Sequence, residues 1–299
     1  MIFARYEAHG KTALGVSNDG RGFVDLASVG GGLPADLVAL IRDFGRHEPA
    51  VKAALAAKPT HQLSAIKLLA PIPRPEKNVF CVGRNYKEHV EEGYRTRGQA
   101  TKLPEAPQFF TKPRTAIIGP DDEVPLDPKV TSALDYEVEL GVIIGKTGKN
   151  ISQAAALDHI FGYTVINDVT ARDLQRRHDQ WFKGKGIDGS CPMGPVVVHK
   201  SRIPDPQGLN ITMRVNGETR QNSNTKHMIF DLKVIIEQLS RGMTIEAGDV
   251  IATGTPSGVG FAMNPPGLLK GGDAIEAEVE GIGILKNTVR EIPHRVESE

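Results

Sequence analysis

Two glutamates one residue apart, Glu137 and Glu139, stand at the head of an apolar run in "ALDYEVELGVIIG". In a strand, side chains at i and i+2 share a face, so the two carboxylates project together, about 7 Å apart at Cα for a rise of about 3.3 Å per residue. Like charges held that close need a compensating cation, or one of them stays protonated. A hard divalent ion such as Mg2+ or Ca2+ supplies the compensation most simply, because both take oxygen ligands. Asp168, in "TVINDVTARD", offers a third oxygen where an apolar strand stops and a helix begins. The same spacings also fit plainer structures. The glutamates could line the solvent face of an edge strand, with Val138 and Leu140 inward, and Asp168 could be a helix N-cap. A second pair, His89 and Glu92 in "NYKEHVEE", is spaced i, i+3 on one helical face. A carboxylate beside an imidazole orients it and strengthens it as a base able to deprotonate a water. On spacing alone this pair equally fits a solvated surface contact on a charged helix.

The elements that must carry these residues are mostly strands. "NVFCVG", "AIIG", "YEVELGVIIG", "FGYTVIND", "GPVVVH", "ITMRVNG", "DVIATG" and "AIEAEVEGIG" read as short strands separated by turns. Helical patterns are fewer, at about 84–92, 152–158, 169–178 and 229–240. Strands outnumber helices and do not alternate with them, which argues against a doubly wound or barrel α/β fold. The expected class is α+β, mostly β: a mixed β roll or sandwich. Residues 1–70 read as a small N-terminal domain of hairpins and a helix over about 34–57. The proline-rich "APIPRPEKN" then leads as a linker into a larger domain over 71–299.

Composition narrows the function classes. The 299 residues carry 36 Lys+Arg against 36 Asp+Glu, so there is no net charge to favour nucleic acid or an anionic membrane. Such a chain does not repel its own copies, which makes an oligomer easy to form. Cys81 and Cys191, far apart in the chain, read as two reduced thiols rather than a disulfide framework. No apolar run approaches the ~20 residues needed to cross a bilayer. The N-terminal "MIFARYEAHGKTALG" is polar where a signal peptide needs its apolar core. A cytoplasmic protein is expected.

Six collinear stretches, "FCVGRNYKEHVEE", "LDYEVELGVIIG", "INDVTARDLQ", "GKGIDGSCPMGP", "VNGETRQNSNTKHMIF" and "GDVIATGTPSGVG", resemble the fumarylacetoacetate hydrolase family over about residues 72–290. The resemblance implies a mixed β-sandwich roll, a homodimer, and Mg2+ or Mn2+ held by Glu137, Glu139 and Asp168. Larger family members carry a fourth carboxylate ligand where this chain has Val82. It therefore resembles the smaller three-carboxylate branch, of the acylpyruvase and fumarylpyruvate hydrolase kind. His89 and Glu92 match the family's catalytic dyad on a lid helix. The loop after it, "EGYRTRGQATKLPEAP", looks like a flexible lid. Lys185 matches the active-site lysine, and Gln175 the glutamine at the oxyanion. Arg84, Arg172 and Thr255 look like substrate ligands, a guanidinium being suited to a bidentate carboxylate contact. His178, Asp179 and Trp181 are expected to line the pocket. Gly186 and Ile187 depart from the family, which usually has Ser or Thr after the lysine.

The function these residues imply first is metal-dependent C–C hydrolysis of an acylpyruvate-type β-diketo acid, releasing pyruvate and a carboxylic acid, as in the catabolism of aromatic compounds. Oxaloacetate decarboxylation, or isomerisation or decarboxylation of hydroxymuconate-type diacids, is the alternative at the same site. A ligand-binding protein without catalysis would be marked by a missing ligand or dyad residue, and none is missing.

Overall fold

The computed structural model describes residues 1–30, 32–96 and 98–293. Its frame is a large mixed sheet whose main path runs His61–Gln62, Gly22–Asp25, Lys11–Ser17, Ile2–Ala8, Cys191–His199, Ile160–Asn167, Val138–Ile144, Val250–Ala252, Val79–Gly83 and Gln108–Lys112. A second sheet of five strands runs Glu218–Asn224, Asn210–Val215, Ala274–Val279, Gly283–Glu291 and Glu123–Leu126. This is the mostly β, mixed-sheet architecture expected from the many short strands.

Period-two alternation decides what each face of the central strand meets. Val138, Leu140 and Val142 pack into the core that also holds Ile211, Met213, Ile275 and Leu285 of the second sheet. Ile143 points the other way, into a core shared with Phe3, Leu40, Val51, Cys81 and Cys191. Glu137 and Glu139 have the parity of Ile143, so they face away from the second sheet. Cys81 and Cys191 are both buried and free. Burial pushes the Cys191 thiol up to about 12 and that of Cys81 well above its ordinary value.

The N-terminal segment adds its strands to the same sheet. Ile2 and Phe3 pair with Val198 and Val197, and Arg5–Glu7 also pair with Lys67–Leu69. The helix expected over 34–57 is two helices, Leu37–Arg42 and Phe44–Ala54, meeting at a non-helical Asp43. The break turns Phe44 inward, where its ring meets Phe161 at 5.0 Å and His199 at 5.4 Å. Tertiary packing there overrides a continuous helical pattern. The 229–240 pattern forms Leu232–Ser240, capped by Asp231 accepting from the Val234 amide at 2.9 Å.

The 169–178 region departs further from expectation. A short strand, Thr170–Ala171, pairs with Leu134–Asp135 before the helix Arg172–Arg177 begins, and the N-cap of that helix is Ala171. Asp168 is therefore not a helix cap.

Candidate active site

The strands Val138–Ile144 and Ile160–Asn167 are antiparallel neighbours, with Val138 opposite Asn167. That register brings the residue before one strand and the residue after the other to the same sheet edge. Two bonds lock the corner: the Asp168 amide donates to the Glu137 carbonyl at 2.8 Å, and the Glu137 amide to Asn167 Oδ1 at 2.9 Å. Glu137, Glu139 and Asp168 consequently each offer a carboxylate oxygen within 4.8 Å of the others. Val138–Ile144 lies between two neighbours in the interior of the sheet, and all three carboxylates are buried. The edge-strand alternative for the glutamates is thus ruled out.

Each carboxylate has a scaffold donor on one side. Gly254 N–H donates to Glu139 Oε2 at 2.7 Å. Gly254 sits at φ +102, and a Cβ there would come within 2.6 Å of Asn85 Cβ, so only glycine brings this amide in. Arg172 lies 2.6 Å from Glu137 Oε1, and Lys112 Nζ lies 2.7 Å from Asp168 Oδ1. Lys185 Nζ then bridges Glu137 Oε2 and Asp168 Oδ2, at 2.6 Å from each. Burial alone would raise Glu137, but Lys185 and Arg172 outweigh it and hold its carboxyl at about 2. Glu139 has no such cation. Burial, then the charges of Asp168 and Glu137, push it well above the ordinary carboxylate range.

These contacts test whether a divalent ion fits. Four buried carboxylates (Asp135, Glu137, Glu139, Asp168) face three buried cations (Lys112, Arg172, Lys185), which leaves one negative charge without a partner. Asp168 Oδ1 touches Lys112 but accepts no hydrogen bond of good geometry, so a lone pair remains. An all-oxygen donor set with surplus negative charge is what a hard divalent cation takes. Glu137, Glu139 and Asp168 fit it.

Beside the carboxylates lies a cavity of about 480 Å³, lined among others by Arg84, His89, Gln175, Trp181, Lys185 and Glu137. His178 and Asp179 also line it, as their position in the sequence suggested. His89 rides on the helix Lys87–Arg95, which starts later than the 84–92 pattern because Arg84 is left-handed at φ 56. The Asn85 side chain donates to the carbonyls of Phe230 and Thr253 and accepts from the Phe230 amide, pinning the start of this helix. His89 Nδ1 meets Glu92 Oε1 at 2.8 Å, and Glu92 Oε2 accepts the Gly258 amide at 2.9 Å. Glu92 is buried. The solvated-pair alternative for this dyad therefore does not hold, and Nε2 is the imidazole nitrogen left for a substrate. Arg97, within the expected lid, lies outside the described residues; no helix or strand runs through residues 99–107.

Two expected substrate ligands are committed elsewhere. The Thr255 hydroxyl donates to the Val138 carbonyl at 3.0 Å and accepts from Gln221 Nε2 at 2.8 Å, and Thr255 is not among the cavity's lining residues. Arg172 lines the cavity, but its Nε donates to Asp135 Oδ2 at 2.8 Å and its Nη1 to Gln175 Oε1 at 3.1 Å. In this structure it organises Gln175 and the carboxylates. Lys112 is a site residue that sequence reading misses: a lysine ending "PQFFTKP" carries no signal that its ammonium is fully buried against Asp168. Asp135 is another, accepting from the Gly260 and Phe261 amides as well as from Arg172.

Comparison with known proteins agrees with this geometry. Residues 78–290 match the family described as fumarylacetoacetate (FAA) hydrolase, C-terminal. The chain is 52% identical over 229 residues to oxaloacetate tautomerase YisK of Bacillus subtilis (strain 168), covering 77% of this chain and 75% of that one. It is 41% identical over 276 residues to the mitochondrial oxaloacetate tautomerase FAHD2A of Bos taurus, covering 91% and 85%. The structure of maleylpyruvate hydrolase from Sphingobium sp. SYK-6, in complex with manganese(II) and pyruvate, superposes at a TM-score of 0.78 with 30% identity, over 98% of this chain and 100% of that one. The carboxylate corner, the His–Glu dyad and these matches lead to one conclusion: the chain belongs to the fumarylacetoacetate hydrolase family.

Proposed function

We propose that the protein is a divalent-metal-dependent oxaloacetate tautomerase, interconverting the enol and keto forms of this 2-oxo diacid. The observation that carries the reading is a single cavity with two cationic regions. One is Lys185 on the carboxylate cluster; the other is Arg84, which has no ion pair with a carboxylate among the described residues. A four-carbon diacid presents a charge to each. Two relatives named for this activity, 52% and 41% identical, support the same choice and put oxaloacetate chemistry ahead of the acylpyruvate hydrolysis that sequence motifs suggest first.

When bound by Glu137, Glu139 and Asp168, Mg2+ or Mn2+ supplies Lewis-acid polarisation of the 2-oxo oxygen. The chain's own residues do the rest. His89 Nε2 takes a proton from C3 of the keto form, and the C3–H electron pair becomes the C2–C3 double bond while the 2-oxo oxygen gains a proton. The reverse step returns the proton to C3. Glu92 holds the ring through Nδ1 and compensates the imidazolium while it carries the proton. Gln175, steadied by Arg172, offers its amide toward the oxygen that changes charge. No water is consumed.

A second reading, hydrolysis of an acylpyruvate, is favoured by the maleylpyruvate hydrolase neighbour. In that case His89 would deprotonate a water instead. The deciding assay follows the enol absorbance of oxaloacetate, with Mn2+ and after chelation, alongside acetylpyruvate and fumarylpyruvate with product analysis. Metal-dependent loss of the enol band without pyruvate supports the tautomerase. Pyruvate plus a carboxylic acid from the diketo acids, with oxaloacetate tautomerisation at its uncatalysed rate, overturns it. Pyruvate and carbon dioxide from oxaloacetate would make it a decarboxylase. A homodimer and a cytoplasmic location belong to the same proposal. Among the described residues no helix is long and apolar enough to cross a membrane, and sedimentation velocity tests the dimer.

A further inference from the structure

The wall of the cavity is built of alternating cations and rings. Lys185 Nζ lies 5.1 Å from the Phe110 ring centre, Phe110 meets Trp181 edge-on at 5.6 Å, and the Arg84 guanidinium lies 5.8 Å from Trp181 and 5.6 Å from Tyr94. Two rings thus separate Arg84 from the lysine on the carboxylate cluster. Trp181 is seated directly on the backbone of Gly83, where a Cβ would come within 2.2 Å of the indole. The backbone of the same residue accepts the Lys185 amide at 3.1 Å. One residue therefore fixes the lysine through its carbonyl and the arginine through its ring.

We propose that Trp181 is the specificity-determining residue of this cavity: with Tyr94 it holds Arg84 where it reads the second carboxylate of a short 2-oxo diacid. An unsupported arginine on a left-handed residue would sample many rotamers and lose entropy on binding. Flanked by two aromatic faces, it is already ordered and keeps its donors for a carboxylate. The indole also occupies the space that a longer acyl chain would need beside Gly83. The inference rests on reading the cavity as a site for a 2-oxo diacid and adds the residue that selects it.

The test compares malate with lactate, stable 2-hydroxy acids that differ in the second carboxylate, binding to the Mn2+-loaded enzyme by calorimetry. Malate is expected to bind at least about tenfold tighter than lactate. Trp181→Leu and Arg84→Gln should each shrink that ratio to within about threefold, at unchanged lactate affinity, while Trp181→Phe keeps most of it. A wild-type ratio near one, or a full ratio surviving in Trp181→Leu, overturns the proposal.

If Trp181→Leu does not fold, the unmodified enzyme still decides. Trp181 is its single tryptophan, so its emission should respond more strongly to malate than to lactate at saturation. Equal responses overturn the proposal. The functional reading fails separately. Absence of oxaloacetate turnover with the malate preference intact removes that reading and supports this one. Turnover without a malate preference does the opposite.

Discussion

Glu139 is the carboxylate for which the scaffold provides least: one backbone amide, no cation, and two neighbouring negative charges. Its ionised form is costly in the metal-free protein and becomes favourable once a cation arrives. Glu139→Gln keeps the shape and removes the charge. The metal-free variant is therefore expected to melt at a higher temperature than the metal-free parent, while its Mn2+ affinity falls by about a hundredfold or more. Calorimetric melting with and without Mn2+ checks both halves. His89 has the opposite profile. It contacts Glu92 and the cavity but is not placed to ligate, so His89→Ala should bind Mn2+ as tightly as the parent. Its turnover should fall by about 10²–10⁴-fold, the usual range for losing a general acid–base. Turnover near wild type in this variant would remove His89 from the mechanism.

At the level of elements, the site is a corner where two strand ends meet, and Lys112 ties a third strand to it. Its Nζ donates to the Val169 carbonyl at 3.0 Å and to the Lys185 carbonyl, besides pairing with Asp168. This single ammonium joins the end of Gln108–Lys112 to the turn after Ile160–Asn167 and to the helix Phe182–Lys185. Removing one partner of a fully buried ion pair leaves the other charge uncompensated, at a cost of about 3–5 kcal/mol. Lys112→Met should show that loss in urea unfolding of the metal-free protein. Saturating Mn2+ should recover part of it, since a cation on Asp168 compensates the same charge. An unchanged unfolding midpoint would mean that the pair contributes nothing.

Across the whole molecule, the seam between the N-terminal segment and the main sheet contains a titratable group. His199 ends the strand that pairs with Ile2 and Phe3, and its ring packs against Phe44 at 5.4 Å and Phe161 at 5.2 Å. Burial, reinforced by the N-terminal amine and Lys200, lowers its pKa to about 4. A base whose folded pKa lies below its unfolded value binds more protons unfolded, so stability rises with pH through that interval. The contribution is complete above pH 6.5 and is lost as the pH falls toward about 4. Denaturant titrations across that range should show the decline, and His199→Gln should flatten it. A parallel pH profile in the variant would exclude His199 as its source.

How much of this was legible beforehand differs from residue to residue. Glu137, Glu139 and Asp168 could be named because i, i+2 spacing and a strand-to-turn boundary are local patterns. The His89–Glu92 contact could be named because i, i+3 is a property of one helix. The mostly β class followed from strand periodicity for the same reason. Local patterns could not distinguish a buried carboxylate corner from an edge strand with a solvent face, because that depends on which strands flank Val138–Ile144. They suggested Thr255 as a ligand, yet its hydroxyl is committed to Val138 and Gln221, partners 117 and 34 positions away. Lys112 was silent because its partners lie 57 and 73 positions along the chain. The amino-acid sequence by itself determined which chemical groups exist and how neighbours in one element share a face. Only the tertiary structure decided which of them are buried together, since charge compensation and desolvation are set by residues that meet across the fold.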